Sequence, residues 1–139
     1  MIILDTNVVS EPMRPNGNPA VQTWLDQQIA ETLYVTATSL SELLLGIEIL
    51  PDGKRKAGLA AALSELMALL FGSRIVSFDA KAATAYAPLV GRARAIGAII
   101  SVADAQIAAI ASVCGFTVAT RDTAPFLAAG VPVINPWKS

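Results

Sequence analysis

Histidine is absent from this 139-residue chain, and Cys114 is its only cysteine. The first absence excludes His-ligated zinc, Ser-His-Asp triads and Cys-His dyads. The second excludes a disulfide framework within the chain. Positive charge is also scarce, since ten Lys and Arg against eleven Asp and Glu leave a formal net charge of −1. That argues against coating nucleic acid through bulk charge, while leaving room for an enzyme that grips a few phosphates locally. Long apolar runs are missing too: the greasiest stretch, Leu59 to Phe71, is interrupted by Ser64 and Glu65 and is too short to span a bilayer. Met1-Ile2-Ile3-Leu4 lacks the basic region of a signal peptide, so the expected location is cytoplasmic. Any chemistry must therefore run on carboxylates, hydroxyls, Lys and Arg.

What is abundant is apolar surface, at 54% of residues. One domain of this size has limited interior in which to bury it. Either a second copy covers part of it, or an Ala-rich helical packing absorbs it. Short β-branched runs alternate with helical patterns along the chain. Strands are expected at Ile2-Leu4, Leu33-Thr36, Ile75-Phe78, Thr117-Thr120 and, as an edge because of Pro132, Val131-Ile134. Helices are expected from Pro19, from a Thr38 or Ser39 cap to about Leu50, and from Lys54 to near Gly72. Others follow from an Asp79 cap with a break at Pro88, from a Ser101 cap to Val113, and from Asp122 to about Ala129. This alternation predicts one α/β domain over residues 1–139, with about five short strands in a mostly parallel sheet between two helical layers.

Ligands of such sheets bind beyond the carboxyl ends of the strands. Asp5 follows the first strand and Asp122 the fourth. Asp104 lies among Ile99, Ile100, Val102, Ile107 and Ile110, and Glu42 among Leu40, Leu43, Leu44, Leu45 and Ile47. A lone carboxylate in such company is costly unless it meets a cation or several donors. Each acid has a bland reading: an Asx-turn for Asp5, an N-cap for Asp122, and capping boxes with Ser39 and Ser101 for Glu42 and Asp104. Taken together the four point to one acidic pocket. Oxygen-only ligands select Mg²⁺ or Mn²⁺, whose natural chemistry is phosphoryl transfer to water. Glu11, Asp26, Glu31, Glu48, Asp52 and Glu65 read as solvated, and Asp79 as a cap.

Leu4-Asp5-Thr6-Asn7-Val8, Ser41-Glu42-Leu43 with Gly46, Ala103-Asp104 and Thr120-Arg121-Asp122 resemble, in order and spacing, the acidic motifs of PIN-domain nucleases. With the closing Asn135-Pro136-Trp137, the chain looks like a VapC-type toxin of the FitB-like group along its whole length. The resemblance implies a three-layer α/β/α fold and endoribonuclease activity dependent on Mg²⁺ or Mn²⁺. It also implies homodimers, RNA as substrate and a neutralising antitoxin. By position, Asp5, Asp104 and Asp122 would bind metal, Glu42 would complete the catalytic set, and Asn7 and Thr120 would support it. Lys54, Arg55, Lys56 and Arg121, with Arg74, Arg92 and Arg94 behind them, are the candidate phosphate contacts. Two rivals use the same acids differently. One is a phosphatase with Asp5 as nucleophile, which Asn7 disfavours because that chemistry wants a second acid there. The other is a docking or receiver-like module that binds metal without turnover.

Overall fold

A computed structural model describes residues 1–138. Strands β1 (Ile2–Leu4), β2 (Leu33–Thr36), β3 (Ile75–Val76), β4 (Thr117–Ala119) and β5 (Val133–Ile134) form one sheet in the order β3-β2-β1-β4-β5. Every pair is parallel. Both faces must then be covered, which is why the strands read as unbroken apolar runs rather than alternating ones. Alternate residues feed separate cores. Ile3 and Val118 join the cluster built with Ile107, Ala108 and Phe126, whereas Leu4, Ala119, Leu33 and Val35 join Val8, Leu43, Leu63 and Phe71.

The first cluster belongs to helices α5 (Ala80–Ala95), α6 (Val102–Cys114) and α7 (Thr123–Ala128). The second belongs to α1 (Thr6–Ser10), α2 (Pro19–Asp26), α3 (Ala37–Glu48) and α4 (Lys54–Leu66). The result is the expected three-layer α/β/α sandwich. Because β2 and β3 extend the sheet on one side of β1 and β4 and β5 on the other, strand order reverses at β1. A crevice opens at such a reversal, beyond the strand ends.

Several local expectations change. Helix α3 is capped by Thr36, whose Oγ1 accepts from Ser39 N–H at 3.0 Å, so neither Thr38 nor Ser39 is the cap. Pro88 does not break α5. It is exposed, so the carbonyl it leaves unpaired one turn earlier can be hydrated. The third strand stops at Val76 because Asp79 N–H turns back to the Ser77 carbonyl, and the Asp79 side chain then caps α5 through Ala82 N–H. The fifth begins only at Val133, since Val131 N–H is still bonded to Phe126 O at the end of α7. Glu11 is not solvated but 6% exposed. The segment after α1 folds back, so that the Glu11 carboxylate accepts from Asn18 N–H at 3.0 Å and pairs with Arg14 at 3.3 Å.

Candidate metal centre

Asp5 leaves β1 at the reversal point, where its backbone N–H still bonds to Ala119 O of the neighbouring strand. It caps α1, and its side chain is held at both oxygens: Thr6 N–H donates to Oδ1 and the Thr120 hydroxyl to Oδ2, each at 2.8 Å. Two hydrogen bonds favour the charged form, yet burial outweighs them and pushes its pKa from 3.8 to about 6. The negative charges of Asp104 and Glu42 add to the rise.

Asp104 occupies the first turn of α6, half-buried, with its backbone N–H on the Ser101 hydroxyl at 3.1 Å. Its carboxyl is also pushed up, first by burial and then by the charges of Asp122 and Glu42. Glu42 is exposed rather than enclosed, because α3 turns Leu44 and Leu45 outward beside it. Its Oε1 accepts from the Thr6 hydroxyl at 2.8 Å, and the bland capping box with Ser39 does not form. Asp122 stands at the N-cap position of α7 but makes no side-chain cap bond, which leaves its carboxylate exposed and facing the same field.

The four acids are thus electrically joined: Asp5 senses Asp104 and Glu42, and Asp104 senses Asp122 and Glu42. They are also mechanically joined. Thr120 donates to Asp5 and accepts from Asp122 N–H at 3.1 Å, while Thr6 links Asp5 to Glu42. Asn7 Oδ1 accepts from Arg121 N–H at 3.3 Å and ties the β4 loop to α1. Thr6 was visible in the Asp5-Thr6-Asn7 motif, but nothing in the sequence marks its hydroxyl as the bridge to α3. The donor set is all oxygen and carries excess negative charge, which suits a hard divalent cation. Among the described residues, no three acidic or cysteine side chains are gathered tightly enough to hold one as they stand.

The basic residues separate into two groups. Arg74 is tied to the backbone carbonyls of Leu33 and Leu70, and Arg92 to that of Ala129 at 3.3 Å. These two staple the fold and are removed from the phosphate contacts. Lys56 is bonded to Glu48 O at 2.9 Å and lies 3.5 Å from Asp52. Lys54 and Arg55 line a cleft of about 670 Å³ between α1, α3 and α4 that opens on Thr6 and Glu42. Arg121 is exposed at the mouth of the site.

The family model described as PIN domain matches residues 2–131. Toxin FitB of Neisseria gonorrhoeae is 47% identical over 137 residues, 99% of each chain. VapC ribonuclease Y4jK of Sinorhizobium fredii is 44% identical over 138 residues, again 99% of each. The crystal structure of FitAcB from Neisseria gonorrhoeae is 46% identical, covers 100% of both chains and superposes with a TM-score of 0.95. With its acids at the ends of β1 and β4, in the first turn of α6 and in the second turn of α3, and with relatives matching along its whole length, the chain belongs to the PIN-domain family.

Proposed function

We propose that this protein is a Mg²⁺- or Mn²⁺-dependent endoribonuclease, the toxin of a toxin–antitoxin pair acting in the cytoplasm. The observation that carries the proposal is Asp5, buried at the sheet's reversal point and raised to about 6 in the field of two further acids. A fold tolerates such a group where function needs it. The names toxin and ribonuclease belong to relatives 47% and 44% identical and lend the reading its substrate and its biology.

Asp5, Asp104 and Asp122 would hold the ion, with Glu42 completing the set; closing on it takes side-chain adjustment, since no trio is gathered beforehand. Bound by these acids, a divalent ion would supply Lewis-acid chemistry, lowering the pKa of water and offsetting negative charge on a phosphodiester. The protein's own part is positioning. Thr6 and Thr120 fix both oxygens of Asp5, and Thr120 also holds the backbone of Asp122. Asn7 locks the intervening loop. Because Asn7 is an amide and not a carboxylate, the aspartyl-phosphate rival has no second acid there. The cleft beside Glu42, with Met13, Leu43, Ile47, Leu50 and Leu59 on its walls and Arg14, Lys54 and Arg55 among its lining, is where an antitoxin segment would lie.

Purified protein should cut RNA with Mn²⁺ or Mg²⁺ and stop when a chelator is added. Asp5→Asn and Asp104→Asn should keep the parent's circular dichroism and lose cleavage. Expression alone should arrest growth, and co-expression with the antitoxin should relieve it. Variants that cut as fast as the parent would overturn the assignment of the acids.

A further inference from the structure

Arg121 lies between Thr120, which donates to Asp5, and Asp122, yet its guanidinium makes no ion pair among the described residues. It rests instead over the ring of Trp137, with its central carbon 5.4 Å from the ring centroid. That is within the range of cation–π attraction. The arrangement is held at both ends. Arg121 N–H is bonded to Asn7 Oδ1. Trp137 packs against the α1–α4 core, and its backbone N–H donates to Asn135 Oδ1 at 3.0 Å in a turn closed by Lys138 N–H on Asn135 O.

Electrostatics alone would send this side chain elsewhere. A guanidinium beside several carboxylates is drawn to them, and once bonded there it would occupy the place of a cation. The Trp137 face offers a competing resting position. Cation–π attraction uses up none of the guanidinium's N–H groups, and those are the groups that match a phosphate's oxygens.

We propose that Trp137 is a positioning residue that keeps the Arg121 guanidinium off the acids and presents its edge to a backbone phosphate of single-stranded RNA at the mouth of the site. The inference rests on the endoribonuclease reading and assigns that site its main phosphate grip.

The test is binding of a fluorescein-labelled, mixed-sequence single-stranded RNA by fluorescence anisotropy across a salt series. All proteins carry Asp104→Asn and Mg²⁺ is present, so that the RNA stays intact. Arg121→Ala should weaken binding and lower the slope of log affinity against log salt by about 0.7, the loss of one phosphate contact. Trp137→Leu should weaken binding roughly threefold or more and lower the slope in the same direction, and Trp137→Phe should restore most of both. Combined with Arg121→Ala, Trp137→Leu should add little, because the two act as one unit.

Three results would overturn the inference. Trp137→Leu could lower the melting temperature but leave the salt slope at the parent's value. It could weaken RNA equally with and without Arg121, which would make the ring a platform for bases. Or the variants could all bind as the parent does. Cleavage by the chain without Asp104→Asn, measured in parallel, decides the nuclease reading separately: a parent that cuts RNA while the variants bind normally sinks only the role of Trp137. A parent that neither binds nor cuts sinks both.

Discussion

Asp5 is a residue whose ionisation opposes folding. Its pKa is 3.8 in the unfolded chain and about 6 in the fold, so the native state holds the proton more tightly. Stability from this group is therefore greatest below pH 4, declines as pH rises to about 6, and is flat above that. The shift corresponds to about 3 kcal/mol at neutral pH. Asp5→Asn should thus be more stable than the parent at pH 8 in chelator, with a gap that shrinks as pH falls toward 4; urea titrations at several pH values check it. Saturating Mn²⁺ should narrow the gap by stabilising the parent. A variant no more stable than the parent at pH 8 would mean that the carboxylate is well solvated. The four candidate acids stand out in the sequence because each interrupts an apolar context at a strand end or near the start of a helix. Their surroundings were less legible. Glu42 stands among leucines in sequence, but α3 points Leu44 and Leu45 outward, and only the packed helix shows which face is which. Glu11 looked solvated because its donor, Asn18 N–H, lies seven residues away across a loop that sequence patterns do not close.

At the scale of elements, strand and helix order followed from period and from caps at Asp79 and Ser101, both of which form. Misplaced boundaries have particular causes. Thr36 ends β2 and also caps α3, so one residue serves two elements and no loop separates them. The long helix after Lys54 reaches Gly72 as expected, but its last turn, Met67–Phe71, widens to π geometry. Two substitutions test these joints. Thr36→Val keeps the shape at this buried position but removes the cap, and should cost about 1 kcal/mol. Gly17 is held by close approach: a Cβ there would lie 2.5 Å from the Glu11 carbonyl oxygen. Gly17→Ala should cost about 1–3 kcal/mol by forcing that loop open. Thermal or urea unfolding reads both, and a neutral Gly17→Ala would mean that the loop yields without resistance.

For the whole molecule, Ala-rich helical packing absorbs only part of the apolar surplus. Ala-rich α6 buries Ala105 and Ile107 to Ala111 against the sheet, yet Leu44, Leu45 and Ile49 on one side and Ile96, Ile99 and Val102 on the other stay exposed, Ile99 at 95%. No helix among the described residues is long and apolar enough to cross a membrane. The chain alone should sediment as more than one copy, and either Leu45→Glu or Ile99→Glu should return it to a folded monomer. Sedimentation of a monomer by the parent itself would assign both patches to other proteins.

The bond from Thr120 to Asp5 spans 115 residues. Beside it, β1 pairs with β4, so the two strands that carry Asp5 and Asp122 meet only after β2 and β3 have been made. A nascent or prematurely terminated polypeptide lacking Thr120 and Asp122 has neither the clasp on Asp5 nor the fourth acid. On the proposed nuclease reading, activity would therefore wait until β4 and Asp122 have been made, by which time an antitoxin synthesised alongside could already be present.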